Sequence, residues 1–335
     1  MCHANRSHGI YSVAEKCSVS RRHKRRAVGS LFSCVPWTLL LLTLAPAHAE
    51  KNLVRPPGTT RYRAMVLKLN ALLRYDQSHA HRMSLTSLGK SVKGRTLWMV
   101  TLGTGAPKRV FYLCRQHGHE PASTEGALAF INELVKADDD TPPASYLKAV
   151  TVYIVPMANP DGSEAFLRHN AHDVDLNRDW IKRTQPETQE LYAEISKLHP
   201  NLMTDQHELY PNDTRPDFTE VVAAGSGAAP SVIAACLDAQ AAVASAMQAE
   251  GFSIVSHTIT DTHPARLAHR FSSIKFGVPT VLFETNRLMG NGRTVAERAA
   301  AHEAFMTAIL RYAAEGRDAA LPGQSVPPTP SKGSE

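Results

Sequence analysis

Four short constellations in this 335-residue chain carry side chains with obvious chemical capacity, and each sits at the end of an apolar run. The first is Arg115-Gln116-His117-Gly118-His119-Glu120, directly after Val110-Phe111-Tyr112-Leu113-Cys114. An imidazole and a carboxylate three residues apart in a tight turn can converge on one cation, and His with Glu suits Zn²⁺ at ~2.0–2.2 Å. The plainer alternative is a solvated turn. His119 competes for the ligand role but, as the neighbour of Glu120, is expected to point elsewhere. The second is Asp205-Gln206-His207-Glu208, after Leu202-Met203. His207 from a separate strand end would complete a two-histidine, one-glutamate set that leaves a fourth position open to water; alone, it reads more readily as a satisfied buried histidine. The third is Asp175-Leu176-Asn177-Arg178-Asp179-Trp180, in which Asn177 and Arg178 can jointly grip a carboxylate through an amide and a bidentate fork. Otherwise Arg178 pairs with Asp173 or Asp179. The fourth is Glu284, ending Thr280-Val281-Leu282-Phe283, where a carboxylate facing a metal-bound water is a natural general base. Its alternative is an ion pair with Arg287 or Arg293.

These residues need elements whose ends meet. Residues 97–102 and 110–114 read as strands, separated by a Gly103-Thr104-Gly105 turn. Residues 121–137 follow as a helix, with Ala127, Phe130, Ile131 and Leu134 at helical spacing. Strands are expected at 150–155, 202–204 and 280–283, and helices at 186–198 and 231–250. Thr294-Val295-Ala296-Glu297 is a capping box opening a last helix to about residue 314. Apolar strands alternating with helices predict an α/β sandwich around a mostly parallel or mixed sheet. In such folds chemistry gathers beyond the carboxyl ends of the strands.

The net charge of +6 is a property of the leader. Residues 1–49 hold seven Lys/Arg against one acid, Glu15, leaving 30 of each sign in the remainder. That neutral balance removes the support for a nucleic-acid footprint. The basic run Arg21-Arg22-His23-Lys24-Arg25-Arg26, the apolar stretch 31–44 and Ala47-His48-Ala49 read as a signal peptide cleaved after Ala49. The apolar stretch is too short and interrupted for a stable membrane span, so the expected location is periplasmic or extracellular. Three of five cysteines (Cys2, Cys17, Cys34) lie in the leader; Cys114 and Cys236 can form one disulfide, although Cys114 also suits a buried thiol. Residues 316–335 read as a Pro-rich disordered tail, which leaves 50–315 as one catalytic domain, large enough to bury about 75 % of its unfolded surface.

Taken together and in order, His117-x-x-Glu120, Asn159-Pro160-Asp161-Gly162, Asp175-x-Asn177-Arg178, His207 and Phe283-Glu284 resemble the zinc carboxypeptidase family over roughly residues 83–290. The resemblance implies a three-layer sandwich with a mixed, mostly eight-stranded sheet flanked by helices. It implies one Zn²⁺ per chain held by His117, Glu120 and His207, with Asp175 orienting the His117 imidazole. Asn177 and Arg178 then match the grip on the substrate's terminal carboxylate, Arg168 the group that polarises the scissile carbonyl, and Glu284 the catalytic base. The implied partner is a peptide or murein-peptide substrate.

The chain also departs from the family. Where a tyrosine is expected to close over the substrate, residues 255–274 carry His257, His263, His269 and Phe271 and no tyrosine; His263 is a candidate replacement, a surface-loop histidine being the plainer reading. Two further functions stay in view: a murein-peptide amidase or N-acyl amino acid deacylase of the same fold, and a non-catalytic peptide-binding member. A serine hydrolase is disfavoured because no Gly-x-Ser-x-Gly occurs, and Gly225-Ser226-Gly227 lacks the lysine of a phosphate loop.

Overall fold

A computed structural model describes residues 53–261, 265–288 and 292–316. The leader, His263 and all of the tail beyond Gly316 lie outside the described residues. The chain runs α1 (Tyr62–Gln77), β1 (Met83–Lys90), β2 (Thr96–Leu102), β3 (Lys108–Cys114), α2 (Ala122–Lys136), β4 (Val150–Val155), α3 (Pro160–Ala165) and α4 (Pro186–Leu198). It continues through β5 (Leu202–Glu208), β6 (Phe218–Val222), α5 (Pro230–Ala249), β7 (Val255–Ile259), α6 (Ala268–Phe271), β8 (Thr280–Thr285) and α7 (Val295–Glu315).

The strands form one eight-stranded mixed sheet in the order β1-β2-β4-β3-β5-β8-β6-β7. Its centre, β4-β3-β5-β8, is parallel, while the β1–β2, β2–β4 and β6–β8 pairings are antiparallel and β7 runs parallel to β6. Parallel strands are covered on both faces, which explains why β3 reads as an unbroken apolar run. Val110, Tyr112 and Cys114 join the core shared with α2, α5 and α7, whereas Phe111 and Leu113 pack with Trp180, Leu191, Ile195 and Phe271 on the other face. Helix α5 is long and apolar enough for a membrane span, but Val232, Ala235, Cys236, Ala239 and Val243 are buried along its length, as in a core helix.

The expected elements are present, with two changes that matter. β5 extends to Glu208 and β8 to Thr285, so His207 and Glu284 stand within strands and are not beyond their ends. Both extensions are polar, that of β5 buried and that of β8 half-buried at Glu284, and pairing in the sheet outweighs their lack of an apolar pattern. β6 and β7 were not expected from the sequence, and β7 occupies part of 255–274. Cys114 and Cys236 are both free and buried.

From β3 the chain passes through α2 to β4 on one side and then returns to β5 on the other side of β3. That reversal opens a crevice at the carboxyl ends of β3 and β5. The turn after β3 is held there by backbone. Arg115 adopts a left-handed conformation at φ 57°, and its buried guanidinium donates to the carbonyls of Gly118 and Thr60 at 3.1 Å each. Asn159 accepts from Gly162 N–H at the start of α3 and donates to the carbonyls of Gln116 and Arg168. Gly118 lies against α3 so closely that a Cβ there would fall 2.0 Å from the Gly162 carbonyl carbon. Relief requires backbone movement, an overpacking cost of about 1–3 kcal/mol. Gly118→Ala is therefore expected to lower the melting temperature by several degrees and the zinc content of purified protein together. Unchanged values in a thermal melt and a metal assay would show that this contact does not position the turn.

Candidate active site

Three buried side chains meet in the crevice. His117 Nδ1 lies 2.8 Å from Glu120 Oε1, His207 Nδ1 lies 2.9 Å from Glu120 Oε2, and the two Nδ1 atoms are 3.1 Å apart. Two imidazole nitrogens and a carboxylate at such spacing are directed at one point, the arrangement ligands adopt around a small cation. The opposite nitrogens bear this out. His117 Nε2 is 3.1 Å from Asp175 Oδ1, and His207 Nε2 is 3.0 Å from Asp205 Oδ1. A carboxylate can only accept, so with a cation on the two Nδ1 atoms each ring would donate its Nε2–H outward to its own carboxylate. The donor set fits Zn²⁺ and leaves room for a further ligand on the cavity side.

Electrostatics argue the same way. Glu120, Asp175 and Asp205 bring three carboxylates around two imidazoles. Burial opposes ionisation of all three, yet the two histidines, with Arg168 and Arg178 beside Asp175 and His269 beside Asp205, hold every one of them well below the usual carboxylate range. Burial would push His207 down, but Asp205 and Glu120 carry it well above the usual histidine value. The cluster thus retains positive charge wherever it can find it, and a divalent cation would satisfy it. His119 takes no part: it is buried, with neither ring nitrogen hydrogen-bonded, and burial lowers its pKa to about 3.

The other expected residues line one cavity of about 200 Å³ above the cluster. Arg168 Nη2 pairs with Asp175 Oδ2 at 3.0 Å, sits 3.7 Å from Glu120, and stacks under the Tyr210 ring at 5.1 Å. Asn177 is less open than expected, because its Oδ1 accepts from Ala268 N–H at 2.8 Å and its Nδ2 lies 3.0 Å from His207 Nε2. Arg178 reaches the cavity, and among the described residues no carboxylate pairs with it. Asp173 is taken by His169 at 2.9 Å, and Asp179 accepts from Thr184 and Gln185. Glu284 is opposite His207 in the β5/β8 register. Its alternative partners are engaged elsewhere, Arg287 with Glu208 and Arg293 with Asp217. Burial, reinforced by Glu120 and Asp205, pushes Glu284 up to about 8.

Several site residues had no role assigned from the sequence. Asp205 stands two residues from His207 on the same strand face, a signal that becomes visible once β5 is extended. Gln116 bridges Trp180 Nε1 (2.8 Å) to Asp205 Oδ1 (2.7 Å), fixing the second histidine's support from the first histidine's turn. Tyr210, Glu220 and His269 reach the cavity from loops and short elements without any local pattern.

Comparison with known proteins agrees with this geometry. Residues 69–207 match the family model described as zinc carboxypeptidase. The chain is 34 % identical over 92 residues to probable carboxypeptidase 2 of Trichophyton verrucosum, covering 28 % of this chain and 17 % of that protein. It is 32 % identical over 121 residues to carboxypeptidase M of Mus musculus, covering 31 % and 27 %. These alignments thus span less than a third of either relative. The metallo-carboxypeptidase structure from Burkholderia cenocepacia superposes with a TM-score of 0.63 at 26 % identity, over 74 % of this chain and 68 % of that one. Over residues 69–207 the chain is thus similar to the zinc carboxypeptidase family, and its eight-stranded sheet and paired histidines with their glutamate are in keeping with that similarity.

Proposed function

We propose that the protein is a zinc-dependent carboxypeptidase that hydrolyses the amide bond preceding a C-terminal residue with a free carboxylate. The observation that carries this reading is Arg178, a guanidinium that makes no ion pair among the described residues, its acidic neighbour Asp175 being paired with Arg168, in the same cavity as His117, Glu120, His207 and Glu284. A guanidinium so placed is a receptor for a carboxylate from outside. The leader-like residues 1–49 support a periplasmic or extracellular setting, where protein C-termini and murein peptides are the available substrates.

Zinc, when held by His117, Glu120 and His207, would supply Lewis-acid polarisation and would acidify water. The chain's own residues do the rest. Arg178 binds the terminal carboxylate, with Asn177 fixing the adjacent backbone through Ala268. Arg168, braced by Asp175 and Tyr210, faces the oxygen that becomes negative as the carbonyl turns tetrahedral. Glu284 takes the proton of the attacking water at its carboxylate and returns it to the leaving amine. A pKa raised toward 8 in the metal-free protein suits a group that must both accept and donate.

Glu284→Gln is expected to lower kcat by about 10²–10⁴-fold while zinc stays bound, whereas His117→Ala loses zinc and activity together. Turnover of Glu284→Gln within a few fold of wild type would remove Glu284 as the base. Matched peptides with free and amidated C-termini, read by mass spectrometry, test the anchor. Wild type should release one residue from the free form alone, and Arg178→Lys should lower kcat/KM on that form by about 10²-fold, because an ammonium cannot reproduce the bidentate fork. Cleavage indifferent to the carboxylate would instead mark an amidase or endopeptidase.

A further inference from the structure

We propose that Arg266 is a capture residue for the substrate's terminal carboxylate, drawing it to the mouth of the cavity before Arg178 holds it. The proposal deepens the carboxypeptidase reading and rests on it. Its basis is a hydrogen bond that joins two segments distant in sequence. Asn177 Oδ1 accepts from Ala268 N–H at 2.8 Å, which pins the stretch 266–268 beside Asn177 and its neighbour Arg178. Leu267, in extended backbone, lines the same cavity as Arg178. Arg266 precedes it, exposed and outside the lining residues. Two residues of extended chain span at most about 7 Å, so Arg266 springs from the rim on which Arg178 stands.

Neither guanidinium is neutralised by an acid of the chain. Arg178 donates to the Asn177 carbonyl at 3.1 Å, while its acidic neighbour Asp175 is paired with Arg168. Arg266 makes no ion pair among the described residues, and the acids nearby are engaged, Asp261 with Arg270 and Glu220 with His269, both at 3.1 Å. Burial lowers the Arg178 guanidinium from its ordinary value; Asp175 opposes this, and the like charges of Arg168 and Arg266 add to it. Like charges held together favour an anion between them, and a carboxylate has acceptor sites enough to bridge two guanidiniums. The two arginines divide the work. Arg178 stands in the cavity, where a planar fork fixes the geometry of the bound end. Arg266 stands outside it, where an exposed cation acts over distance and raises the rate at which an anionic end is found. That action fades as salt shortens the screening length, which is about 10 Å at 0.1 M and about 3 Å at 1 M.

The test compares intact zinc-loaded wild type, Arg266→Gln and Arg266→Lys on one acyl-dipeptide with a free C-terminus, at about 20 mM and about 500 mM salt. It is paired with calorimetric binding of N-acetyl-L-leucine and of its amide to the same preparations. At low salt Arg266→Gln should lower kcat/KM about fivefold, the upper range for one exposed charge, with the loss falling on KM. Binding of N-acetyl-leucine should weaken by a similar factor and that of the amide should not. At high salt the kcat/KM difference should shrink to about twofold or less. Arg266→Lys should stay within about twofold of wild type throughout, because capture needs a charge and not a fork. A merely structural role would instead lower kcat at both salt concentrations and would not be rescued by lysine. Arg266→Gln within about twofold of wild type at low salt, or a loss that salt leaves unchanged, would overturn the proposal. Preference for N-acetyl-leucine over its amide that depends on Arg266, in a protein that cleaves free and amidated peptides alike, would keep the capture residue and overturn the carboxypeptidase reading instead.

Discussion

Two imidazole nitrogens 3.1 Å apart, closed by a carboxylate within 2.9 Å of each, are an arrangement that water or protons alone stabilise poorly. Most of the unusual features nearby make sense as the means of holding that arrangement. Asp175 and Asp205 take the outward protons of the two rings and so fix which nitrogen faces inward. Gln116 ties one support to the turn that carries His117, and Asn159 ties the same turn to Arg168. Even the left-handed Arg115 and the backbone contact at Gly118 serve the placement of that turn. The polar groups are costly to bury singly, and each is affordable because the next one satisfies it.

The sheet separates this chemistry from charges that would disturb it. Glu208 follows His207 directly, but strand alternation sends it to the opposite face. There it accepts from the first N–H of α2 and from Arg298 Nε, both at 2.6 Å. Gln206 likewise turns away to His302 of α7, which also meets Thr285. One strand, β5, thus alternates between ligand support and core bracing, which is why it is polar from Thr204 onward and still wholly buried. Strand pairing then sets the reach of the cavity, since β8 brings Glu284 beside His207 and β6 brings Glu220 one row deeper.

Much of this was legible in the sequence for a physical reason. His117 and Glu120 share one turn, so a three-residue spacing is enough to suggest convergence, and the apolar runs of β3 and β4 announce buried parallel strands. The ordered set of motifs carried the rest of the ligand assignment. What stayed hidden lies where local pattern and burial part company. β5 and β8 continue through polar residues because their neighbours in the sheet pair with them, a non-local effect. β6, β7 and α6 are short, and the cavity residues they carry acquire meaning from register alone. Arg178 illustrates the opposite case: the sequence offered Asp173 and Asp179 as partners, and both turned out to be occupied.

Zinc titration of the metal-free full-length protein by calorimetry, repeated in buffers of different ionisation enthalpy, addresses the central claim most directly. In that state Asp205 and Glu120 keep His207 protonated above the usual histidine range, so the metal must displace its proton. The account predicts one zinc per chain, release of close to one proton at pH 7, and apparent affinity that strengthens as pH rises through the His207 value. Loss of the site in His117→Ala should accompany it. Absence of saturable zinc binding, or binding that releases no proton and survives His117→Ala, would contradict the account.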